Sequence, residues 1–142
     1  MAAQATSKGN LYPCFCYSDA PRAIEFLERA FGFQRRLVVP GPDGTVMHSE
    51  LEYEGGVIMV SSPKAERNWV APGEQGRSAS VCVRVSDPDA HCARAKAAGA
   101  VITQPVKDEH YGSRGYMAKD LEGNEWYFGT YVPGAHWDKL GV

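Results

Sequence analysis

The chain has 142 residues, 44% hydrophobic and 23% charged, which is enough to bury a core without disulfides or a structural metal. A net charge of −2 gives no electrostatic basis for binding nucleic acid or an anionic membrane. No apolar run is long enough to span a bilayer, and the polar stretch Met1 to Asn10 lacks a secretory apolar core, so a cytoplasmic location is expected.

In chain order, Leu11 to Tyr17 reads as a strand. Ser18 or Asp19 then caps a helix, with Pro21 in its first turn, where a missing N–H costs nothing. Ile24, Leu27 and Phe31 fall on one helical face, and Gly32 suits the left-handed stop. Phe33 to Val39 is the next strand, followed by the turn Gly41-Pro42-Asp43-Gly44. Thr45 to Tyr53 and Val57 to Ser61 form a hairpin around Glu54-Gly55-Gly56.

The second half repeats this order. Ser80 to Val85 is a β-branched strand, Ser86 or Asp87 a cap, Pro88 a first-turn proline, and Ala90 to Ala98 a helix ended by Gly99. Ala100 to Val106 follows, and Gly115 to Lys119 pairs with Glu125 to Tyr131 around Glu122-Gly123-Asn124. Asp87 follows Asp19 by 68 residues, and Glu122 follows Glu54 by the same 68. Two landmarks of different type at one offset indicate an internal repeat of a β-α-β-β-β unit. Module one spans about residues 10–62, a Pro-, Gly- and charge-rich linker 63–78, module two about 79–131, and a tail 132–142. The linker carries Trp69, a large ring that either covers a core edge or lines a site. The tail carries His136 and Trp137 and is expected to pack on a neighbouring surface. Cys14, Cys16, Cys82 and Cys92 form no C-x-x-C pair and read as reduced thiols.

The segment from Tyr17-Ser18-Asp19-Ala20-Pro21 to Phe31-Gly32-Phe33 resembles the strand–Asp–helix–Gly-Phe opening of the vicinal-oxygen-chelate superfamily, which includes glyoxalases, bleomycin-resistance proteins and extradiol dioxygenases. Asp120-Leu121-Glu122-Gly123-Asn124-Glu125-Trp126 is similar to its closing hairpin, with Leu121 where proline is usual. The likeness covers residues 10–131. It implies an α+β fold, a single domain of two tandem β-α-β-β-β modules forming a curved mixed-sheet cup with helices on the convex side. It also implies a small-molecule ligand and a homodimer whose clefts draw on both chains.

The superfamily's metalloenzymes place ligands on the first and last strand of each module. Counting from the landmarks carries those positions to Tyr12, Met59, Ser80 and Tyr127. Thioether, hydroxyl and neutral phenols hold hard divalent ions poorly, and a slip of one residue brings in no better donors. No metal and no cofactor is therefore expected at the usual place, and the resemblance points to the non-metal, bleomycin-resistance-like branch.

Strand alternation sends Ile58, Val60, Trp126 and Phe128 to the helices, and Met59, Glu125, Tyr127, Cys14 and Cys82 to the cup. Tyr12, Met59, Ser80, Tyr127, Glu125, Cys14, Cys82, Trp69, Arg114 and Tyr116 are the candidate ligand-binding residues, a mixed aromatic and soft lining. His48 and Glu50 alternate on one strand and offer an acid/base pair, with His110 a further candidate. His91 reads as a surface group. No nucleophile elbow, P-loop, H-E-x-x-H or Rossmann glycine pattern competes with the cup. Two functions remain: a protein sequestering a drug or aromatic metabolite, or a metal-dependent or acid/base lyase, isomerase or dioxygenase of the same fold.

Overall fold

The computed structural model describes residues 7–73 and 76–134; His136 and Trp137 lie outside them. Module one runs β1 (Cys14–Cys16), α1 (Ala20–Phe31), β2 (Gln34–Pro40), β3 (Val46–Tyr53) and β4 (Gly56–Ser61). Module two runs β5 (Val81–Arg84), α2 (Pro88–Ala97), β6 (Val101–Asp108), β7 (Arg114–Lys119) and β8 (Glu125–Gly129). The sheets have the same order, β1-β4-β3-β2 and β5-β8-β7-β6. In each, the first strand joins the last in parallel and the other pairs are antiparallel. The repeat read from the 68-residue offset is thus a repeat of topology.

The helix boundaries follow from capping chemistry. The Asp19 carboxylate accepts from Arg22 N–H at 3.2 Å, and Asp87 accepts from Ala90 N–H at 3.1 Å. Gly32, at φ 83°, takes the left-handed conformation that ends α1. The two helices differ in what they bury. Helix α1 buries Ala20, Ala23, Ile24, Phe26, Leu27, Ala30 and Phe31, whereas α2 buries only Pro88 and Ala95. The alanine-rich α2 has no strong apolar stripe, and its packing relies on polar contacts described below.

Strand β1 is shorter than the sequence suggests. Its ladder runs only from Cys14, opposite Met59, to Cys16, opposite Ser61. Leu11 is 85% exposed and Tyr12 41%. The preceding residue, Pro13, has no N–H to donate and contributes only its carbonyl, which accepts from Met59 N–H at 2.9 Å.

The helix-facing sides of both sheets meet in one core. Phe31 and Phe33 of module one lie against Trp126 and Phe128 of module two, with ring centroids 4.7–5.7 Å apart. Phe15 stacks on Trp126 at 5.2 Å. Among the described residues, neither helix covers the other face of either sheet.

A polar clasp completes the join. Buried Asp120 accepts from Tyr17 Oη at 2.6 Å, Trp126 Nε1 at 3.1 Å, Asn124 Nδ2 at 3.1 Å, and the Glu122 and Asn124 amides at 3.0 Å. Burial first, and then the Asp120 charge, push the Tyr17 phenol well above its ordinary range. The adjacent Glu122 accepts from Ser18 N–H at 2.8 Å and Asp19 N–H at 3.0 Å. The hairpin of module two therefore satisfies backbone donors ahead of the first helix of module one.

Candidate functional site

The open face of module one holds a cavity of about 360 Å³. Its floor is built by strand register. Cys14 lies opposite Met59, Met59 opposite Glu50, and Glu50 opposite Leu37, so these residues cross the sheet in one row. Beyond the next two pairs, β3 carries an extra residue: Val39 faces His48 but Pro40 faces Val46. The bulge falls at Met47. It lets Met47 and its neighbour His48 both line the cavity, where strict alternation would allow one.

The linker forms the cavity's wall. Lys64 and Trp69 pair backbone to backbone around a tight 3₁₀ turn, Ala65–Arg67, closed by Asn68 at φ 52°. The Trp69 indole N–H donates to Ser61 Oγ at 3.0 Å, which holds the ring against β4. Its carbonyl covers the Cys16 thiol at 3.8 Å, and burial pushes that thiol's pKa up. Lys64 Nζ donates to the Met47 carbonyl at 2.9 Å. Arg67 lines the same cavity. His48 Nε2 lies 2.8 Å from Glu50 Oε2, with both side chains 39% exposed.

The candidate residues do not converge on one point in the chain. Cys14, Met59 and Trp69 share the module-one cavity with His48. Tyr127 lies on the open face of module two, its ring over the paired Gly115 and Gly129 and its hydroxyl 3.4 Å from Ser113 Oγ. Tyr111 and Tyr131 meet edge to face beside it at 5.6 Å. Glu125 is half-buried opposite Lys119. Cys82 lines a second cavity of about 310 Å³, between the modules, with Pro13, Tyr53 and Arg84. Tyr12 donates to the Gly9 carbonyl at 2.8 Å, and Ser80 is exposed. His110 is exposed beside Tyr111 on the β6–β7 loop.

Three expectations are corrected. Tyr116 and Arg114 do not face the cup. Strand β7 begins at Arg114, so residues 114, 116 and 118 share one side, and Tyr116 pairs with the core residue Phe128. Tyr116 is fully buried. Arg114 turns to the α2 side and binds both oxygens of Asp89 at 2.9 Å and Asp108 at 3.1 Å. His91 is not a surface group either. It is half-buried between the modules, with its ring centroid 4.4 Å from that of Phe128. Nε2 lies 2.9 Å from the Phe31 carbonyl, an acceptor only, so Nε2 carries the proton and Nδ1 accepts from Tyr116 Oη at 2.6 Å. Burial holds the His91 pKa below its ordinary value. Lys64, Arg67 and Met47 belong to the cavity without having been singled out; only the charge-rich linker hinted at the first two.

Among the described residues, no group of three or more His, Cys, Asp or Glu side chains is placed to hold a metal ion. No helix among them is long and apolar enough to cross a membrane.

Comparison with known proteins agrees with this architecture. TioX from Micromonospora sp. ML1 superposes with a TM-score of 0.69 at 35% identity, covering 87% of this chain and all of TioX. The fosfomycin resistance protein FosX from Mesorhizobium loti superposes at 0.65 with 12% identity, over 89% of this chain and 94% of FosX, a likeness of fold alone. Protein Rv0887c of Mycobacterium tuberculosis, named as uncharacterized, is 28% identical over 134 residues, 92% of this chain and 79% of that protein. The model of the Glyoxalase/Bleomycin resistance protein/Dioxygenase superfamily matches residues 11–128, and the chain belongs to that superfamily.

Proposed function

We propose that this protein binds and sequesters an aromatic drug or metabolite in clefts shared by two copies of the chain. The observation that carries the reading is the module-one cavity. It offers Trp69 as a stacking face, Met47 and Met59 as apolar wall, and Lys64 and Arg67 as cations for a polar substituent. The tyrosine-bearing face of module two does not contribute to that cavity within the chain. In a homodimer, that face of a second copy supplies the missing wall. A soluble cytoplasmic protein of one such domain suits this role.

The test is a fluorescence screen of planar aromatic antibiotics against the wild-type protein and the Trp69→Ala variant, with mass measured by light scattering. Saturable binding by a dimer, weakened at least tenfold by Trp69→Ala, supports the reading. A monomer at all concentrations, or affinity indifferent to Trp69, overturns it.

A second reading rests on the His48–Glu50 pair at 2.8 Å, since His48 lines the cavity. In that reading Glu50 orients His48, which moves a proton in an isomerase or lyase reaction. Turnover that collapses in His48→Gln while ligand affinity persists favours this enzyme. Stoichiometric zinc, manganese or iron retained after dialysis favours a metal-dependent one.

A further inference from the structure

We propose that Cys14, Met59 and His48 form a binding site for a soft monovalent cation of the Cu(I) or Ag(I) class. Three soft or borderline donor types line one cavity: the Cys14 thiol, the Met59 and Met47 thioethers, and the His48 imidazole. Thiolate and thioether ligands select soft ions over hard divalent ones.

The spacing fits. Cys14 Sγ and Met59 Sδ are 3.9 Å apart. Metal–sulfur bonds of about 2.3 Å opened to a trigonal angle of about 120° place two sulfurs about 4.0 Å apart. The backbone sets the two side chains next to each other, because Cys14 and Met59 are direct partners in the parallel β1–β4 ladder. The third ligand lines the same cavity. With Nε2–H donated to Glu50 at 2.8 Å, the Nδ1 lone pair of His48 is left to coordinate. A carboxylate behind a histidine is the usual means of setting a ligating tautomer. The bulge at Met47 adds a second thioether to the same cavity.

Charge favours a monovalent ion. Binding displaces the Cys14 proton to water, so one cation enters as one proton leaves and the net charge of the cavity is unchanged. A divalent ion would add a positive charge beside Lys64 and Arg67. The proposal does not depend on the aromatic-ligand reading, which a silver-free titration tests separately.

The experiment uses the whole chain with methyl-¹³C methionine, titrated with silver nitrate in chloride-free buffer and followed by NMR and native mass spectrometry. One equivalent of Ag(I) should shift the Met59 and Met47 methyl signals and leave that of Met117, on the module-two sheet, in place. Cys14→Ser should abolish the shift. Met59→Leu should weaken binding at least tenfold, and Glu50→Gln by about tenfold through the loss of histidine orientation. The three replaced side chains are at least partly exposed, so the variants keep the core. The proposal is overturned if Met59 is unmoved at one equivalent, if it still moves in Cys14→Ser, or if Met59→Leu binds as tightly as wild type.

Discussion

Replacing Asp120 by asparagine tests the clasp between the modules with almost no change of shape. Asp120 is 5% exposed and acts only as an acceptor, with donors facing both oxygens. Oδ2 receives Tyr17, Trp126 and the Asn124 amide; Oδ1 receives two backbone N–H groups. In the variant one oxygen becomes an NH₂ group. Placed at Oδ2, it confronts the Trp126 and Asn124 donors, while the Tyr17 hydroxyl can turn to accept. Placed at Oδ1, it confronts two amides that cannot turn. At Oδ2 the Trp126 N–H loses its acceptor, since the Asn124 carboxamide can turn over as the Tyr17 hydroxyl does, and at Oδ1 both amides lose theirs, at about 1–3 kcal/mol each, or about 1–6 kcal/mol in all. That is a large part of the 5–15 kcal/mol or so that holds a typical domain folded. Tyr17→Phe removes a donor instead of stranding one and should cost less. Urea unfolding followed by circular dichroism reads both, with the slope checking that the unfolded state is unaltered. A loss below about 1 kcal/mol for Asp120→Asn, at unchanged slope, would refute the assignment.

Two other perturbations probe the open face and the intermodule contact. A Cβ at Gly115 would come 2.7 Å from the Phe128 carbonyl and strike the Tyr127 ring, so Gly115→Ala should cost about 1–3 kcal/mol by overpacking and displace Tyr127, visible as a changed tyrosine ring resonance. His91 should titrate below its ordinary 6.5, chiefly because of burial, with Arg94 acting in the same direction. The unfolded chain then binds the proton more tightly, so this contribution to stability is complete above about pH 6.5 and declines as the pH falls toward the folded-state value. NMR of the His91 ring checks it, and a midpoint at or above 6.5 would contradict the bonding drawn for Nδ1.

The elements were legible where local chemistry sets them. Asp19 with Pro21 and Asp87 with Pro88 mark both helix starts, and the recurrence at 68 residues gives the topology. The alternation of Ile58, Met59 and Val60, and of Trp126, Tyr127 and Phe128, correctly sorts core from open face. What escaped depends on contacts distant in sequence. Arg114 and Tyr116 were chosen as ligand contacts for their side-chain chemistry, whereas the pairing of β7 with β8 turns both to the helix side. His91 sits on a helix without an apolar stripe, and only the neighbouring module supplies its partners. The pairing of Met47 and His48 in one cavity needs a bulge that no periodicity reveals. Trp69 could be noticed as an oddity, but its seat on Ser61 follows from the turn that precedes it.

The grip of the last hairpin on the first helix has a consequence for how the polypeptide is made. Tyr17 leaves the ribosome 103 residues before its acceptor, and Ser18 waits 104 residues for Glu122. During that interval the α1 start has its own Asp19 cap but lacks the carboxylates that settle the groups just ahead of it. Phe31 and Phe33 likewise await Trp126 and Phe128. The nascent N-terminal half therefore carries unsheltered aromatic surface until synthesis has passed residue 128, which makes late translation the interval of greatest exposure to aggregation and to chaperone capture.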